Sequence, residues 1–583
     1  MAAFLILYDK CDLPKNSEIF FFNELIKSHY LKDKKEIDDY KTLSPYGLSE
    51  ELLKRDAEYL SKIYDKFIIR ISNELNRIHG LKKSSRYWSI ILGKWLRDFT
   101  YATYNRYQTI KKGLNKYEIN EVILIKDKEN SFPIIDATTF NYYSNDRIFD
   151  AILISNIFKS IKLQNDLKIS YSEKDFFEEK KQSKYKNGKK NFLPVSVYNL
   201  LSRFKDNRKS DFFVISSYFR LREELKLNFY LNNKLQFFYY PHIRYKKSDI
   251  DQNLRNELSF KDSPEDEFES LLNKILSLYL PLTVLENFTQ IKDFIKNLRW
   301  PDNPKMIFSS NSFADGGPTQ FWIAEKIEQG SKYYLGQHGA GYLEYYDKKF
   351  RAEIKPVDGF ITWGNHKFSK KIYPAFNFTM IGKKNNKTKK KALFVFKSSG
   401  NRIVPYDRFE YGKIIFDQSQ YLISNLNDKI KENLMLRLHS SYKKEIYFNF
   451  DNFLKNNSSL KIDKETSFNK LITSSKITIY NDFSTGFVYG LNMNLPSVIF
   501  LPLDLKFIHE ENKKDFNKLI ENQMIFTSVE KLKDYLNNNW DRIEENWNRS
   551  GSQLARNLFL ENYSRFPPIN KIKDFSEILK NLK

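Results

Sequence analysis

Short apolar runs that end at glycine or at polar residues recur through the chain, and they constrain its fold more than any other feature. The runs do not alternate strictly between apolar and polar residues, which is typical of strands buried on both faces of a sheet. Helical patterns lie between them, for example over residues 49–75 and 268–280. This alternation predicts an α/β fold built on parallel sheets. The runs are residues 4–8, 19–22, 122–125, 212–215, 306–308, 333–335, 359–363, 392–396, 434–438, 476–480 and 497–501.

The chain has 583 residues, too many for one hydrophobic core, so we expect two domains. The boundary is predicted at residues 382–391, a basic stretch nearly free of apolar residues that is typical of an exposed linker. Residues 1–381 would form an N-terminal α/β domain, and residues 392–540 a second parallel-sheet domain. Residues 541–583 are predicted to form helices that pack back on the first domain. Two such domains leave a cleft, and ligands bind at the carboxyl ends of the strands that face it.

The sequence predicts neither a secreted nor a membrane-spanning protein. Cys11 is the only cysteine, which excludes disulfide bonds within the chain and zinc sites built from clustered cysteines. No run of about 18 uncharged apolar residues occurs, so no transmembrane helix is expected. Residues 1–9 carry neither a basic segment nor a cleavage site and are predicted to form the first strand, not a signal peptide. We therefore expect a cytoplasmic location.

The chain is strongly basic, because 96 lysines and arginines against 72 acidic residues give a formal charge of +24. Nucleic acid, an anionic membrane and an anionic substrate would all suit such an excess. The charge is spread along the chain, however, and asparagine, isoleucine and lysine are abundant throughout, as an AT-rich genome would produce. No basic-aromatic repeat, helix-turn-helix or zinc motif accompanies it. A nucleic-acid-binding protein is therefore kept as the last alternative.

A glycine-rich loop at the end of one predicted strand carries the first candidate for catalysis. Gly336, Gly339 and Gly341 surround Gln337 and His338. Glycines let the backbone adopt positive φ and let a ligand approach closely. An imidazole donates, accepts or carries charge near neutral pH. The pattern predicts an active-site loop with His338 as a catalytic residue and with Gln337, Gly339 and Gly341 positioning the loop.

Carboxylates near this loop are candidates for the base or nucleophile that a transfer reaction needs. Asp315 follows a predicted strand and precedes two glycines, and Glu344 and Glu353 lie downstream of His338. For Asp315, a structural turn ahead of a helix is the alternative. We take Asp315 and Glu353 as the catalytic candidates. The sequence contains no H-E-x-x-H, and its histidines are scattered without ligand spacing, so we expect no metal and no cofactor.

The second domain offers a basic pair at the end of a predicted strand. Arg437 and His439 are two residues apart and therefore point to the same face. The guanidinium group of an arginine binds phosphate oxygens in a fork, and a histidine adds a second donor. The alternative is an ordinary ion pair at a strand end, and for this pair alone the two interpretations weigh equally.

A further strand of this domain leads into a helix start that would suit an anion. Ser484 and Thr485 follow Asn481 and lie where the free N–H groups and the dipole of a helix favour negative charge. Simple capping is the alternative. Lys397 and Ser398, after the first strand of the domain, add a small polar loop. No P-loop and no dinucleotide-binding pattern occurs, so the group predicts a phosphate site of another kind.

Three sequence blocks resemble a known family. Residues 86–96, R-Y-W-S-I-I-L-G-K-W-L, followed by residues 104–106, resemble the R-Y-W-x-I-x-L-G-x-W-L block of a bacterial transferase family that was first defined on a leptospiral protein. Residues 337–342, Q-H-G-A-G-Y, resemble its Q-H-G-G-x-Y element. Glu353, Asp358 and residues 360–364 resemble its E-x(n)-D-x-F-x-x-W-G continuation. The likeness covers most of the chain, and the family is associated with surface-carbohydrate loci.

That family is in turn similar to GT-B glycosyltransferases of capsule and lipopolysaccharide assembly, which include Kdo and sialic-acid-type transferases with CMP-activated donors. The resemblance implies a GT-B fold, in which two Rossmann-like domains face each other across a cleft. It also implies that Arg437, His439, Ser484 and Thr485 hold the nucleotide phosphate and that the chemistry takes place near His338.

The sequence thus leads to one main hypothesis and two alternatives. The main hypothesis is a GT-B glycosyltransferase that transfers Kdo or a nonulosonic acid from a CMP-activated donor to a growing bacterial surface glycan. Its partners would be the nucleotide sugar, a glycan or glycolipid acceptor and, peripherally, the inner membrane. The first alternative is a polyol-phosphate transferase of the teichoic-acid type, which shares the GT-B frame. The second is the basic nucleic-acid-binding protein.

Overall fold

The computed structural model describes most of the chain. The described residues are 2–31, 40–44, 46–47, 49–127, 131–144, 146–163, 167–173, 209–232, 250–260, 263–298, 300–311, 316–346, 351–365, 368–380, 391–396, 408–438, 453–455, 457, 460–463, 467–501 and 506–582. They form three β-sheets, and every hydrogen-bonded pair of strands in them is parallel.

The first sheet belongs to the N-terminal part of the chain. Its strands are β1 (Ala3–Ile6), β2 (Glu18–Phe21), β3 (Lys41–Thr42), β4 (Glu121–Leu124) and β5 (Lys168–Tyr171). They lie in the order β3-β2-β1-β4-β5, so the chain winds outward on one side of β1 and then on the other. β1 and β2 are apolar and largely buried, as the sequence pattern predicts for strands inside a parallel sheet.

The second sheet carries the glycine-rich loop. Its strands are β6 (Phe212–Ile215), β7 (Met306–Ser309), β8 (Lys332–Gly336), β9 (Gly359–Thr362) and β10 (Ile372–Pro374). The order is β10-β9-β8-β7-β6, which puts β8 in the centre. Every residue of β7 and β9 is buried. The loop that follows β8 therefore begins at the middle of the sheet's carboxyl edge.

The third sheet has the strand order of a doubly wound nucleotide-binding fold. Its strands are β11 (Lys391–Phe396), β12 (Leu434–Leu438), β13 (Lys461–Asp463), β14 (Ser475–Tyr480), β15 (Ser497–Phe500) and β16 (Ile525–Phe526). They lie in the order β13-β12-β11-β14-β15-β16. Counted within the sheet this is 3-2-1-4-5-6, so the winding reverses between β11 and β14. Ligands of such sheets bind at the carboxyl ends of the strands at this switch point.

Helices cover the faces of the sheets. In chain order they are α1 (Glu24–Leu31), α2 (Glu50–His79), α3 (Ser85–Lys116), α4 (Ala137–Tyr143), α5 (Arg147–Ser160), α6 (Leu221–Tyr230), α7 (Gln252–Asn256), α8 (Glu267–Tyr279), α9 (Phe288–Lys296), α10 (Pro318–Glu328), α11 (Arg408–Asn425), α12 (Asp428–Lys431), α13 (Phe468–Ser474), α14 (Thr485–Asn492), α15 (Glu510–Glu521), α16 (Val529–Asn539), α17 (Ile543–Asn548), α18 (Ser550–Tyr563) and α19 (Lys571–Asn581). Two short 3-10 helices, Leu282–Val284 and Trp540–Arg542, lie among them.

The two longest helices, α2 and α3, pack against each other and join the first two sheets. Ser49 caps α2 by accepting a hydrogen bond from the N–H of Leu52, and Ser84 caps α3 in the same way. Gly80 ends α2 in the left-handed conformation at φ 61°. α3 contacts α10 beside the second sheet and also α4 and α5 beside the first. Its buried tryptophans make it a shared core element of both sheets.

The last two helices return to the second sheet. The N–H of Arg565, just after α18, donates to the carbonyl oxygen of Trp363 at the end of β9 (2.7 Å). A Cβ added to Gly364 would lie 2.2 Å from the carbonyl oxygen of Asn562, so only glycine lets the two backbones approach this closely. α19 packs against α6, and its Phe575 joins the aromatic core over β7.

The predicted α/β class with parallel sheets is confirmed, but the N-terminal part of the chain contains two sheets and not one. Residues 1–381, predicted to form one domain, carry two parallel sheets, and the third sheet begins at Lys391, the last residue of the predicted linker. The short strand runs of the sequence do not reveal which strands pair, so two sheets in one segment look like one long α/β pattern. The two sheets still share a continuous buried core through α3 and α10.

Candidate active site

The loop over residues 336–341, called the 336–341 loop below, is held in place by the buried side chain of Gln337. Its Oε1 accepts a hydrogen bond from the N–H of Trp363 (2.9 Å) and its Nε2 donates to the carbonyl oxygen of Gly339 (2.9 Å). The backbone N–H of Gln337 donates to Ile361 (2.8 Å). The amide therefore ties the loop to the neighbouring strand β9 and fixes its path.

Close packing beneath the loop explains one of its glycines. A Cβ on Gly336 would lie 2.7 Å from Oγ of Ser310 and 2.9 Å from ring atoms of Phe308 and Phe378. Such distances are shorter than any ordinary contact, and the neighbours are buried. Gly336 thus lets the last residue of β8 pass over the end of β7.

His338 is exposed at this edge, and its imidazole meets a tyrosine from the end of β6. The phenol oxygen of Tyr218 and Nδ1 of His338 form a hydrogen bond, and the ring centroids lie 5.6 Å apart. Tyr218 has φ 66° and Ser216 has φ 52°, both in the left-handed region that residues other than glycine rarely adopt. Backbone strain of this kind clusters at functional sites. Tyr218 therefore belongs to the candidate site together with His338.

The 336–341 loop also contacts the third sheet. The N–H of Ala340 donates to Oγ1 of Thr485 (3.1 Å), the first residue of α14. A Cβ on Gly339 would lie 2.9 Å from the same oxygen, so glycine is what allows this approach. Ser484, the N-cap residue of α14, makes no side-chain capping bond and is half-buried. The loop with His338 and the start of α14 therefore form one continuous site.

The start of α14 lies at the switch point of the third sheet, since it follows β14 directly. Unfilled N–H groups in the first turn of a helix make a favourable position for an anion. The hydroxyl of Thr485 accepts from Ala340 and keeps its own hydrogen to donate. The site thus combines an imidazole, two hydroxyl groups and helix N–H groups at a meeting point of two sheets.

Beyond the loop, residues 341–346 run as a strap, called the 341–346 strap below, to the third sheet's side of the molecule. The N–H of His509 donates to the carbonyl oxygen of Glu344 (2.8 Å), and Tyr345 pairs with Ile508 in an isolated antiparallel bridge. The carboxylate of Glu344 is buried and accepts from the N–H groups of Gly341 and Leu343, each at 2.8 Å. Burial raises the pKa of Glu344 to about 7, against the lowering effect of these N–H donors.

Glu353 lies in a buried ionic group behind the 336–341 loop. It pairs with Arg97 (3.3 Å) and Arg351 (3.8 Å). Burial alone would raise the pKa of Glu353, but the two guanidinium groups outweigh it and hold the pKa below its usual value. Arg351 in turn donates to the carbonyl oxygen of Gly341 and lies over the ring of Tyr342, 4.4 Å from its centroid. Glu353 is thus connected to the loop through Arg351, and its catalytic role stays a prediction.

On the third sheet, Arg437 pairs with Asp463 across β12 and β13 (2.8 Å). β11 separates its strand from β14, so about 10 Å of sheet lies between Arg437 and the start of α14. Asn481 is fully buried after β14 and donates to Oγ of Ser419 in α11 (3.4 Å). Arg437 lies at the same edge as Ser484, whereas the side chain of Asn481 lies in the core.

Four of the predicted site residues lie outside the described residues. They are Asp315, Lys397, Ser398 and His439. Their roles stay predictions.

The first resembling block, in contrast, lies in the interior as a packing element. Arg86 pairs with Asp358 (2.6 Å), so the arginine of the first resembling block contacts the aspartate of the third. Asp358 also accepts from the N–H of Tyr333 at the start of β8 (2.8 Å). Gly93 passes close to Tyr64, where a Cβ would lie 2.5 Å from the phenol oxygen. These residues position β8, and with it the loop that carries His338.

Sequence reasoning missed Tyr218 and Arg351. Tyr218 lies in the segment Ser216-Ser217-Tyr218 after a predicted strand, which was the one available signal. Its positive φ and its contact with His338 arise from tertiary structure and leave no trace in the local sequence. Among the described residues, no group of three or more histidines, cysteines or carboxylates is placed to hold a metal ion. In the same part of the chain, no helix combines the length and apolar character needed to cross a bilayer.

Comparison with protein families assigns the class of the protein. The model of the LIC12162 family transferases matches residues 4–574. The chain therefore belongs to this transferase family, as the resemblance in its sequence blocks implies. No curated protein matches the chain.

Solved structures match only distantly. Spinosyn rhamnosyltransferase SpnG complexed with spinosyn aglycone has 7% identity and a TM-score of 0.30, over 51% of this chain and 77% of its own. MurG of Acinetobacter baumannii has 10% identity and a TM-score of 0.30, over 51% and 77%. A UDP-N-acetylglucosamine 2-epimerase from Listeria monocytogenes has 10% identity and a TM-score of 0.32, over 50% and 76%. Similarity at this level supports no conclusion about this chain.

Proposed function

We propose that the protein is a GT-B glycosyltransferase that binds its donor nucleotide at the carboxyl edge of the third sheet and reacts beside His338. The observation that carries the proposal is the hydrogen bond between Ala340 and Thr485 (3.1 Å). It brings the imidazole of one sheet's loop to the helix start of another sheet. A transferase needs this combination, since it must hold a leaving group and a reacting centre together.

The donor side of the proposal rests on the third sheet. Its 3-2-1-4-5-6 order puts the end of β14 at the switch point, where nucleotides bind in such sheets. The first turn of α14, with Ser484 and Thr485, would receive the phosphate. Arg437 would contribute charge from two strands away, because a guanidinium group has five N–H donors and can keep Asp463 while binding an oxygen anion.

The donor that we propose is Kdo or a nonulosonic acid activated by CMP, and the acceptor is a growing bacterial surface glycan. The likeness of the sequence blocks to a surface-carbohydrate transferase family supports this choice. A helix start with hydroxyl groups suits a single phosphate. In a CMP-activated sugar, a single phosphate joins the nucleoside to the anomeric carbon. Peripheral contact with the inner membrane would follow from a lipid-linked acceptor.

In the reaction, the bond between the anomeric carbon and the phosphate oxygen breaks, and the phosphate keeps the electron pair. The acceptor hydroxyl forms the new bond and loses its proton. Helix N–H groups and the hydroxyl of Thr485 would stabilise the charge that grows on the phosphate. His338 would orient the reacting group or move the proton, with Tyr218 holding its ring. Glu353 fits a supporting role, because its ion pairs hold it away from proton transfer near neutral pH.

A nucleotide screen by thermal shift tests the proposal. CMP, UDP, GDP and ADP are each added to the full chain, and CMP is expected to raise Tm most. A ligand at about 100 times its Kd stabilises a protein by about 2.7 kcal/mol, which is readily measured. Thr485→Val should remove most of the CMP shift, whereas Thr527→Val, after the edge strand β16, should not.

Two results would count against the proposal. Stabilisation by UDP or GDP without CMP would overturn the donor, and no shift with any nucleotide would overturn the donor site itself. If CMP binds, mass spectrometry of the product follows. A product that gains a sugar without phosphate supports glycosyl transfer, whereas a product that also gains phosphate would assign polyol-phosphate transfer.

A further inference from the structure

Next to the segment that carries Tyr218 lies a carboxyl group that the proposed reaction does not use. It belongs to Glu224 in the first turn of α6, and its Oε1 accepts a hydrogen bond from the hydroxyl group of Ser217 (2.5 Å). Ser217 is completely buried. Burial raises the pKa of Glu224, although the hydroxyl group and the backbone N–H of Ser217 act in the opposite direction. The protein therefore keeps an ionisable group where its charge is costly.

The neighbouring acid in the same helical turn has a different environment. Glu223 pairs with Lys571 of α19 (2.6 Å) and accepts from the N–H of Arg220 (3.0 Å). Burial alone would raise the pKa of Glu223, but these donors outweigh it and hold the pKa below its usual value. Glu224, in contrast, has no lysine or arginine as an ion-pair partner among the residues that the structure describes. Carboxyl groups perturbed by burial cluster at functional sites, which makes Glu224 a candidate for a role there.

The residue that Glu224 contacts is in the middle of a strained turn, residues 216–219, called the 216–219 turn below. Ser216 (φ 52°) and Tyr218 (φ 66°) lie on either side of Ser217, both in the left-handed region. Such residues persist only where the surrounding contacts enforce them. The hydroxyl group that donates to Glu224 also accepts from the N–H of Phe219 (3.2 Å). One side chain from α6 thus fixes the central hydroxyl group of the turn.

The supports of the 216–219 turn belong to a packed core. Leu227 of α6 is completely buried and lies in the same apolar cluster as Met306 of β7. α6 also packs against α19. From the other side, the N–H of Ser310, just after β7, donates to the carbonyl oxygen of Ser216 (3.2 Å). Glu224 is therefore carried by a rigid element, as a group that orients another one must be.

Tyr218 connects this turn to the candidate site. Its phenol oxygen is hydrogen-bonded to Nδ1 of His338. The partner of Nδ1 determines which ring nitrogen carries the proton, and therefore whether Nε2 can donate or accept one. Since the backbone of Tyr218 directs its side chain, a turn that relaxed from the left-handed region would move the phenol away from the imidazole.

We infer that Glu224 is a positioning residue, which holds Ser217, keeps the 216–219 turn in its strained form and so fixes the imidazole of His338. The inference rests on the proposed function, because His338 would need this orientation to take part in transfer. Glu224 acts only through Ser217 and Tyr218, so no bond to a substrate changes at its carboxyl group.

Imidazole ¹⁵N shifts of the full chain, labelled at histidine, test the inference without any substrate. The signal of His338 is the one that is lost in His338→Ala. Glu224→Leu removes the acceptor and should change this signal in the same way as Tyr218→Phe does. Ser217→Ala, which removes one oxygen atom, should have the same effect.

Two further variants of the same helical turn serve as controls. Glu223→Leu is the matched substitution one residue earlier, and it should leave the signal of His338 unchanged. Glu224→Gln keeps an acceptor oxygen for Ser217 and should restore the signal of the unaltered protein. If Glu224→Leu does not fold, Glu224→Asp replaces it, because the shorter side chain draws the carboxylate away from Ser217 and should also change the signal.

Kinetics give a second reading once transfer is measured. Glu224→Leu should lower kcat about tenfold and change KM by less than about twofold, as expected when an orienting contact is lost. In the Tyr218→Phe background it should lower kcat no further, because both substitutions remove the same hydrogen bond to His338. A purely structural role would instead give losses that add.

The outcomes separate this inference from the proposed function. An unchanged signal of His338 in Glu224→Leu and Ser217→Ala would overturn the inference, and so would additive losses of kcat. A protein that no nucleotide stabilises, but whose His338 signal responds to Glu224→Leu, would remove the proposed donor site and leave the positioning role of Glu224 standing.

Discussion

His338 and Tyr218 come from different strands and meet at an exposed edge, and the backbone of Tyr218 is strained there. Residues other than glycine in the left-handed region cost about 1–3 kcal/mol each. The turn is held by Ser217, whose hydroxyl donates to Glu224 (2.5 Å) and accepts from the N–H of Phe219 (3.2 Å). Because the strained backbone brings the phenol to Nδ1 of His338, we infer that the strain serves to orient the imidazole.

Two substitutions test this pair. His338→Ala should lower transfer by about 100-fold or more, the range of a lost general acid or base, and shift the free energy of unfolding by less than about 0.5 kcal/mol. Tyr218→Phe should lower kcat about tenfold with little change in KM, because one orienting hydrogen bond of about 1.4 kcal/mol is lost. Steady-state kinetics and thermal melts measure both.

The control for these variants is His29→Ala, on α1 beside the first sheet, which should leave kcat unchanged. The tautomer of His338 gives a second reading, since ¹⁵N shifts of the labelled imidazole should change in Tyr218→Phe. Full activity in His338→Ala would remove the imidazole from the mechanism. Unchanged kcat and ¹⁵N shifts in Tyr218→Phe would reduce the tyrosine to a packing residue.

At the scale of elements, the 341–346 strap joins the loop of the second sheet to the segment before α15. Asn512 of α15 donates from its side chain to the carbonyl oxygens of Leu343 and Glu344 (2.5 and 3.1 Å). The carboxyl group of Glu344 lies inside this strap with two backbone donors. Ionisation of a group buried so deeply costs free energy, and therefore the strap is sensitive to pH.

Glu344→Gln should make the stability of the protein less dependent on pH. The folded-state pKa of Glu344 is about 7, above the ordinary glutamate value of 4.5, so its contribution to stability is full below about pH 4.5 and is lost as pH rises through 7. At 1.36 kcal/mol per pKa unit the loss is about 3 kcal/mol. Glutamine keeps the acceptor without ionising, so unfolding midpoints in urea across this pH range should fall less steeply in the variant.

Glu353→Gln is the matched control, because the pKa of Glu353 is shifted in the opposite direction to that of Glu344. Its pKa is lowered in the folded state, so Glu353 stabilises the protein above its unfolded pKa and loses that contribution as pH falls. The variant should therefore be less stable than the unaltered protein at neutral pH and approach it in acid. A Glu344→Gln variant with an unchanged pH profile would show that this carboxyl group titrates normally.

At the scale of the whole molecule, Ser564 connects parts of the chain that lie far apart in sequence. Its hydroxyl oxygen accepts from Nδ2 of Asn377, before the predicted linker (3.0 Å), and from Nδ2 of Asn492, at the end of α14 (2.6 Å). All three residues are buried. One hydroxyl group thus joins the segment after α18 to the second sheet and to the third.

Ser564→Ala should destabilise the protein by about 2 kcal/mol or more. The substitution removes an acceptor from two buried amide groups, of which Asn492 keeps only a longer hydrogen bond to the carbonyl oxygen of Val488 (3.4 Å), and each such loss costs about 1–3 kcal/mol. Urea unfolding monitored by circular dichroism measures the effect. Ser550→Ala, at the exposed start of α18, is the control and should change the free energy of unfolding by less than about 0.5 kcal/mol. Equal effects in the two variants would contradict the role of Ser564.

The strands that the sequence reveals and those it hides differ by their position in the sheets. Every strand inside a sheet overlaps a predicted apolar run. The strands missed by the apolar runs, β3, β5, β10, β13 and β16, all lie at sheet edges. Edge strands have one unpaired side and here span only two to four residues, as in Lys41–Thr42 and Lys461–Asp463. Since an edge strand needs no continuous apolar run, the sequences of these five carry no such signal, whereas the remaining edge strand, β6, does overlap one.

The candidate site divides in a similar way. Strand ends rich in glycine, serine and histidine are visible in sequence, so the 336–341 loop and the start of α14 could both be proposed from it. That Ala340 meets Thr485, that Tyr218 meets His338 and that Arg351 holds Gly341 all depend on how three sheets pack. Such contacts join residues 10 to 145 positions apart, beyond the reach of any local pattern.

The hydrogen bond between Ala340 and Thr485 also couples the two halves of the site energetically. Binding free energies are reciprocal, so a ligand that draws the hydroxyl of Thr485 toward itself changes the energy of the loop by as much as the loop changes that ligand's affinity. The first substrate to arrive would therefore set the affinity for the second, in either order. Cooperativity between the proposed donor and acceptor would then depend on the backbone N–H group of Ala340.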